Sequence, residues 1–544
     1  MKTLLRPLEA NSGSPSSLEI AASWLKGCVE EHENCSKEVS TLPSRVLDIG
    51  SQPSGNIVKL VYGAGLSGHY ACLSYCWGSS PHFTTSRESI VARQQGFNLS
   101  ELPKTFLHAI TIARHLGIRY LWIDSLCICQ DDTEDWARES SRMIDIYSNA
   151  HIVIAVNHAK DSSVGCFHDR PPRATCLVEI PGYTGKMHAV LLYTNDEWKI
   201  MNGEFQGEAL TERGWALQER VLARRILHYN TRQMYFECDH GLVGEYGCNG
   251  KNRFNIDLEK ADIDEWHNLL WAYGNRKLTK ATDKLPAMSG LARLFEKRLK
   301  AQYVAGLWST NLIEGLAWQC LGKEKQAMAQ DGKYIGPSWS WAGFDGIAAT
   351  GKRKGWKDIA EVQEWNVQLK TEANPYGEIT GAWIRIHAPL IRLVHSEEEV
   401  TEHEIRLRRA GLQPFPRFRT PHSDEDQVVS LDNAHSLKSE EWRSWNIQVL
   451  ILGGYPYRHG NWGKDQMISK EPEDEKKENK VVEEENSSGE DLIPQTFGLC
   501  FGLVLDNRGT ENQGVKRVGW MFLNSEEVAK AIEEKKDWST VKLI

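Results

Sequence analysis

Between His69 and Val156 the chain alternates three short apolar runs with two longer amphipathic ones, a pattern that few folds satisfy. "HYACLSYCWG" reads as a strand that ends at Cys76-Trp77-Gly78. "LPKTFLHAITIARHLG" predicts a helix over 103–116, with Pro103 at a first helical position and Gly117 just past the end. Phe106, Ile110 and Ala113 fall on one face of it. "YLWID" is nearly continuous in apolar residues, as suits a strand buried on both sides. "DDTEDWARESSRMIDIYSNA" predicts a second helix over 133–148, with Asp132 as N-cap and an acidic first turn that suits the helix dipole. "HIVIAV" closes the unit as a third strand.

Strands joined through helices in this way form a parallel sheet with right-handed crossovers, here from Ala71–Tyr75, Tyr120–Asp124 and Ile152–Val156. Ligands of such sheets bind beyond the carboxyl ends of the strands. Those ends are Ser74 to Gly78, Asp124-Ser125 and Asn157-His158. No GxGxxG follows the first strand and the chain holds no GxxxxGK[ST], which argues against a dehydrogenase or a P-loop enzyme.

Residues 157–210 read as an irregular insertion, broken by "DRPPR". "ERGWALQERVLARRILHYN" then restores a short helix and a strand around Ile226–Tyr229. Residues 255–345 lean to helix and hold many of the 20 Trp, and from about 376 the pattern turns to strands. The expected division is a helical extension over 1–60, an α/β domain over 61–240, a helical Trp-rich region over 241–345 and a β-rich region over 346–544. Within the last, Lys464–Asp491 sets 5 Lys against 11 Asp and Glu and carries −6 of the net charge of −9. It has too little apolar content to offset ordering entropy and is expected to be a mobile loop.

The rest of the chain is nearly balanced in charge and has no basic stripe, so no nucleic-acid partner is expected. The N-terminus lacks the apolar region of a secretory signal, and no run approaches the ~20 residues of a membrane span. Twelve Cys in such a chain read as reduced thiols of a cytoplasmic protein. In "CVEEHENC", Cys28, His32 and Cys35 have spacing that would place them on one helix face, but no fourth ligand lies nearby. Buried helix packing is the default there, and no metal is assigned. Cys127 and Cys129 raise a nucleophile hypothesis with His151 or His158 as base, although buried inert thiols are the usual outcome of such a pattern. "PSWSWAG" has no GxSxG elbow and reads as a packing motif.

"RGWALQERVL", read as a helix, puts Trp215 and Glu219 four residues apart on one face. Glu219 either answers Arg213 or Arg225 or a wet face, or is a reactive carboxylate beside an indole wall. Glu139 is the rival carboxylate, with Arg142 one turn on as a surface partner. Asp124 is either a ligand contact or a cap for the turn that follows, and Trp77 either packs in the core or serves as a stacking platform.

"YACLSYCWG", the whole block from "LPKTFLHAI" to "HIVIAV", and "RGWALQERVL" resemble the three signature blocks of the fungal heterokaryon-incompatibility (HET) domain. With "LPSRVLDIG" before and "RKLTKATDKLPAMSGLA" and "PSWSWAG" after, the resemblance spans about residues 20–345. It implies a role in fungal non-self recognition that ends in cell death. HET domains are regarded as distant relatives of Toll/interleukin-1 receptor (TIR) domains, some of which hydrolyse NAD with a glutamate four residues after a Trp. The resemblance therefore implies a TIR-like parallel sheet flanked by helices, Glu219 as the catalytic carboxylate, and NAD as substrate with no cofactor required. Ser74, Trp77, Gly78, Asp124 and Ser125 at the strand ends, with Trp215 and Gln218 on the helix, are the expected substrate contacts. The alternative is a non-catalytic scaffold that self-associates. In either case a homo-oligomer and an unidentified protein trigger are the expected partners.

Overall fold

The computed structural model describes residues 8–50, 55–78, 83–171, 205–247, 261–326, 333–349 and 356–392, with shorter pieces at 175–178, 187–190, 249–250, 394–395, 417–419, 427–428, 430–431, 447–456, 497–506, 514–523 and 538–544. Two compact units result. The first takes Met1–Thr310, Cys320–Gly351 and Asn366–Ala382, so residues on both sides of the boundaries expected at 60 and 240 belong to it. No described helix is long and apolar enough to cross a membrane.

The first unit begins with α1 (Pro15–Glu31), β1 (Arg45–Asp48), β2 (Ile57–Tyr62), β3 (Tyr70–Ser74) and β4 (Phe97–Asn98). It continues through α2 (Lys104–His115), β5 (Tyr120–Trp122), α3 (Thr133–Ser141), α4 (Met143–Ser148) and β6 (Ile152–Val156). After the insertion come α5 (Trp215–Leu222), β7 (Arg225–Tyr229), β8 (Met234–Cys238), β9 (Gly241–Gly244) and β10 (Asn249–Gly250). Then follow α6 (Ile263–Gly274) and α7 (Ser289–Leu299).

One ten-stranded sheet runs in the order β10-β9-β8-β7-β6-β3-β5-β1-β2-β4. Its centre, β5-β3-β6-β7, is parallel, with Ala71 paired to both Leu121 and Ile152, and Ile226 paired to Val153. Outside that centre every pairing is antiparallel, from β7 with β8 on one side and from β5 with β1 on the other. The sheet is therefore mixed, not wholly parallel as expected. The N-terminal residues expected to be helical supply β1 and most of β2, whose antiparallel returns need no crossover helix.

β3, β6 and β7 are buried at every position, which is why β3 and β6 read as apolar runs, while β7 also buries Arg225 and His228. The helix expected over 133–148 divides at Arg142, which ends α3 and begins α4. Ser140 and Ser141 donate their hydroxyls to the carbonyls of Ala137 and Arg138, and such back-bonding competes with the helical ladder. Beyond the break, Tyr70 holds α4 to the sheet through a 2.6 Å bond from its hydroxyl to Ile146 O. Asp132 caps α3 as expected, accepting from the N–H groups of Glu134 and Asp135.

"PSWSWAG" packs: Ser340 is fully buried and donates to Ala305 O, while Trp341 Nε1 donates to Gly306 O at 2.8 Å. The second unit comprises Asn311–Gln319, Lys352–Trp365 and Trp383–Ile544. Its strands Ile447–Pro456, Phe497–Asp506 and Lys516–Leu523 pair antiparallel in succession, and Trp538–Leu543 pairs with residues from Ile384 to Pro389. Arg517 is buried there, donating to Leu316 O and Trp318 O and lying 3.6 Å from the Trp318 ring centre. The acidic run 464–491 lies outside the described residues.

Candidate functional site

In the central order β5-β3-β6-β7 the chain leaves β3 for one neighbour and later returns to its other side, so β3 and β6 form the topological switch point. Crevices open at the carboxyl ends of strands in such a place. Here β3 ends on Ser74, and α5, which leads into β7, brings Glu219 against it. α5 packs against α4 and α7. Its position is fixed by Arg220, whose Nε and Nη2 donate to the two oxygens of Glu237 on β8 at 2.9 and 3.0 Å.

Glu219 precedes that anchor by one residue and is only 5% exposed. Ser74 donates its hydroxyl to Glu219 Oε2. Burial pushes the Glu219 carboxyl up to about 7; Arg213 and Ser74 pull it down, Asp124 pushes it further up and Arg276 pulls it down. Glu237 is the instructive contrast. Burial raises it too, yet Arg220 and His228 outweigh burial and hold it at about 2. One carboxylate is fully answered and structural, while the other, next to its anchor, is left close to neutrality. Two carboxylates with pKa values pushed apart by their surroundings are the usual mark of divided roles.

Glu219 faces a cavity of about 680 Å³, a volume within the usual range for small-molecule sites. Trp77, Trp136 and Trp215 supply its aromatic walls, and Asp124, Arg213 and Asp283 its partly buried charged groups. Trp136 and Trp215 meet edge to face at 6.2 Å. Trp77 Nε1 donates to Asp124 Oδ2 at 2.8 Å, and Trp215 Nε1 donates to Asp283 Oδ2 at 3.0 Å. Trp77 and Trp215 are thus each tied to a carboxylate, and burial raises both Asp124 and Asp283 above the ordinary range. Arg213 donates to Tyr75 O; burial works against its charge, but Glu219 and Asp124 hold its pKa above the ordinary value. Behind Glu219 a second space of about 20 Å³, lined by Ser74 and Arg276 among others, is large enough for one water.

Gly78 shows how closely the backbone is fitted. Its φ is +77°, and a Cβ there would sit 2.2 Å from Asp161 Oδ2. A side chain would be strained and would collide.

Of the expected contacts, Trp77, Gly78, Asp124, Trp215 and Glu219 line the large cavity, and Ser74 stands behind Glu219. Two do not line it. Ser125 is buried, donating its N–H to Asp124 Oδ1 at 2.7 Å. Gln218 is fully buried on the other side of α5, its Oε1 accepting from Gly290 N at 3.2 Å, because adjacent helical residues point about 100° apart. Asp124 is the first residue of a helical turn, Asp124–Cys127, rather than the last of a strand. Arg225 is no partner of Glu219: it lies buried against Cys28, His151 and Ser36. Glu139 does pair with Arg142, at 3.8 Å, but is itself only 2% exposed and also accepts from Ser44 Oγ at 2.9 and 3.0 Å, so the carboxylate is buried rather than on the surface.

The Cys129 thiol donates to Asp131 Oδ1 at 3.2 Å, not to either expected histidine. Burial pushes Cys127 up to about 12 and Cys129 up to about 11, while His151 lies against His69 and His158 against His168. Residues 276–283 went unassigned from the sequence, yet Arg276, Lys277, Lys280 and Asp283 all border the two spaces. "RKLTKATDKL" does belong to the block resembling HET domains, and that is the signal which could have found them.

Residues 70–219 match the family model of the heterokaryon incompatibility protein (HET), a span that opens on the first residue of β3 and closes on Glu219. The chain is 36% identical over 105 residues to heterokaryon incompatibility protein 6, OR allele, of Neurospora crassa. That alignment covers 17% of this chain and 15% of that protein. No solved structure matches.

Proposed function

We propose that the chain is an effector of fungal heterokaryon incompatibility, whose HET domain hydrolyses NAD at the cavity below α5. The observation that carries the reading is Glu219, a buried carboxylate close to neutrality on the wall of a 680 Å³ cavity. A protein gains nothing in stability from such a group, so its presence favours use. The central parallel order, with Glu219 one turn after Trp215, also supports a TIR-like arrangement of the site.

The chemistry is sufficient in outline. The bond between ribose C1′ and the nicotinamide nitrogen breaks, nicotinamide leaves neutral, and the sugar becomes oxocarbenium-like. Ionised Glu219 stabilises that charge in a site where indoles exclude water and strengthen the attraction. Water then bonds to C1′ and gives up one proton, leaving ADP-ribose, nicotinamide and a proton. Nicotinamide is a cationic leaving group, so no strong acid is needed. Asp124 is placed to hold a ribose hydroxyl, and Lys160 and Lys280 on the cavity wall suit the pyrophosphate. Loss of NAD would be the route to cell death.

The test is to incubate the pure chain with NAD at high protein concentration and measure free nicotinamide. Release by the wild type, lost in Glu219→Gln, is the expected result. Killing of cells by overexpressed Glu219→Gln, with NAD levels unchanged, would instead support the self-associating scaffold.

A further inference from the structure

α1 stops at Glu31, so Cys28, His32 and Cys35 do not share a helix face as their spacing suggests. His32 has extended backbone (φ −87°, ψ 112°), and the chain turns back on itself so that Cys35 N donates to His32 O at 3.4 Å. β8 meanwhile ends on Cys238, which lies in the same place although it comes 206 residues after His32. The thiol sulfurs of Cys28, Cys35 and Cys238 and a ring nitrogen of His32 all lie within 4.8 Å of one another. His32 Nδ1 is 3.8 Å from Cys35 Sγ and 3.5 Å from Cys238 Sγ.

Tetrahedral zinc with Zn–S bonds of ~2.3 Å and Zn–N bonds of ~2.0 Å has S···S edges of about 3.8 Å and S···N edges of about 3.5 Å. The two His32 edges match that tetrahedron within a few tenths of an ångström, and the remaining edges, all within 4.8 Å, need only a small contraction to meet it. We propose that Cys28, His32, Cys35 and Cys238 form a closed zinc site that fastens the turn after α1 to the end of β8. This inference does not depend on the proposed NAD chemistry.

The donor set selects the metal. Three thiolates and one imidazole are soft to borderline ligands, which suit zinc and discriminate against magnesium and calcium. Four protein ligands leave no open position, and the three cysteines are buried, so the site is structural rather than catalytic. Charge is answered as well. Zinc held by three thiolates and a neutral imidazole leaves the centre with net −1. Arg225, 2% exposed, donates from Nε to Cys28 Sγ at 3.1 Å and supplies the matching positive charge. Its other nitrogens donate to Ser36 O and His151 O, so one guanidinium fixes both the ligand loop and the start of β6. The His32 ring stacks on His240 at 4.3 Å, which holds the imidazole plane.

The experiment uses the full chain, purified without chelator or affinity metal, with zinc measured by plasma mass spectrometry. About one zinc per chain is expected, falling to background in Cys28→Ser, His32→Ala, Cys35→Ser and Cys238→Ser but kept in Cys127→Ser, a buried thiol elsewhere. Where a variant fails to fold, cobalt substituted into the wild-type chain decides the matter. Tetrahedral cobalt bands with strong thiolate charge transfer support the site, and their absence overturns it. Two further outcomes overturn it: zinc retained in full by Cys238→Ser, or a Cys28–Cys238 disulfide in the non-reduced peptide map.

Discussion

Replacing Glu219 by Gln separates a functional carboxylate from a structural one by stability alone. Its carboxyl moves from an ordinary 4.5 to about 7 on folding, mainly through burial. Between those values the folded chain binds more protons than the unfolded one, so stability falls as pH rises through the window. At ~1.36 kcal/mol per pKa unit, the ionised side chain costs about 3 kcal/mol above pH 7. Gln keeps the size and the acceptor for Ser74 while removing the charge. It resembles the protonated form. Glu219→Gln should therefore approach the wild type below pH 4.5 and exceed it at pH 8 by up to about 3 kcal/mol, a rise on the order of a few degrees in melting temperature. Nicotinamide release should fall by ~10²–10⁴-fold in the same protein. Scanning calorimetry of both proteins from below pH 4.5 to pH 8.5 reads the first effect. A Gln protein that melts below the wild type at pH 8 would refute the reasoning, since Glu219 would then be holding Arg213 in place.

Three other outcomes follow from the same geometry. The rate of nicotinamide release should rise with pH through about 7 as Glu219 ionises, and a profile flat from pH 5.5 to 8.5 would exclude it as the acting group. Gly78→Ala should lower stability by about 1 kcal/mol or more and raise KM for NAD, because its φ of +77° disfavours a side chain and Asp161 stands in the way. Arg220→Met should cost ~3–5 kcal/mol by leaving Glu237 buried with His228 alone, seen as a lower melting temperature at pH 7. Because Glu237 is held at about 2, the wild type gains from that pair above pH 4.5 and loses the gain as pH falls toward 2, so the Arg220→Met deficit should shrink in acid.

What the sequence determined by itself was local. β3, α2, β5, the start of α3 and β6 were legible because apolar runs, an N-cap at Asp132 and a glycine after α2 at Gly117 act within a few residues. The residues just past β3 and β5 were legible for the same reason, although β5 stops at Trp122 and Asp124 begins a helical turn, and with them came the Trp215–Glu219 row and most of the cavity's near wall. The tertiary structure decided everything that depends on which neighbour an apolar face meets. Periodicity reports that a strand is buried but not what lies beside it, so the place of β3 between β5 and β6, and the antiparallel strands flanking the parallel centre, came only from the fold. The wall formed by 276–283 lies far along the chain from Asp124, and Cys238 far from Cys28. No spacing rule joins such distant residues. The state of Glu219 was decided in the same way. Its identity is written in the sequence, but its high pKa arises from the water removed by the packing around α5, with Arg213 and Ser74 answering its charge only in part.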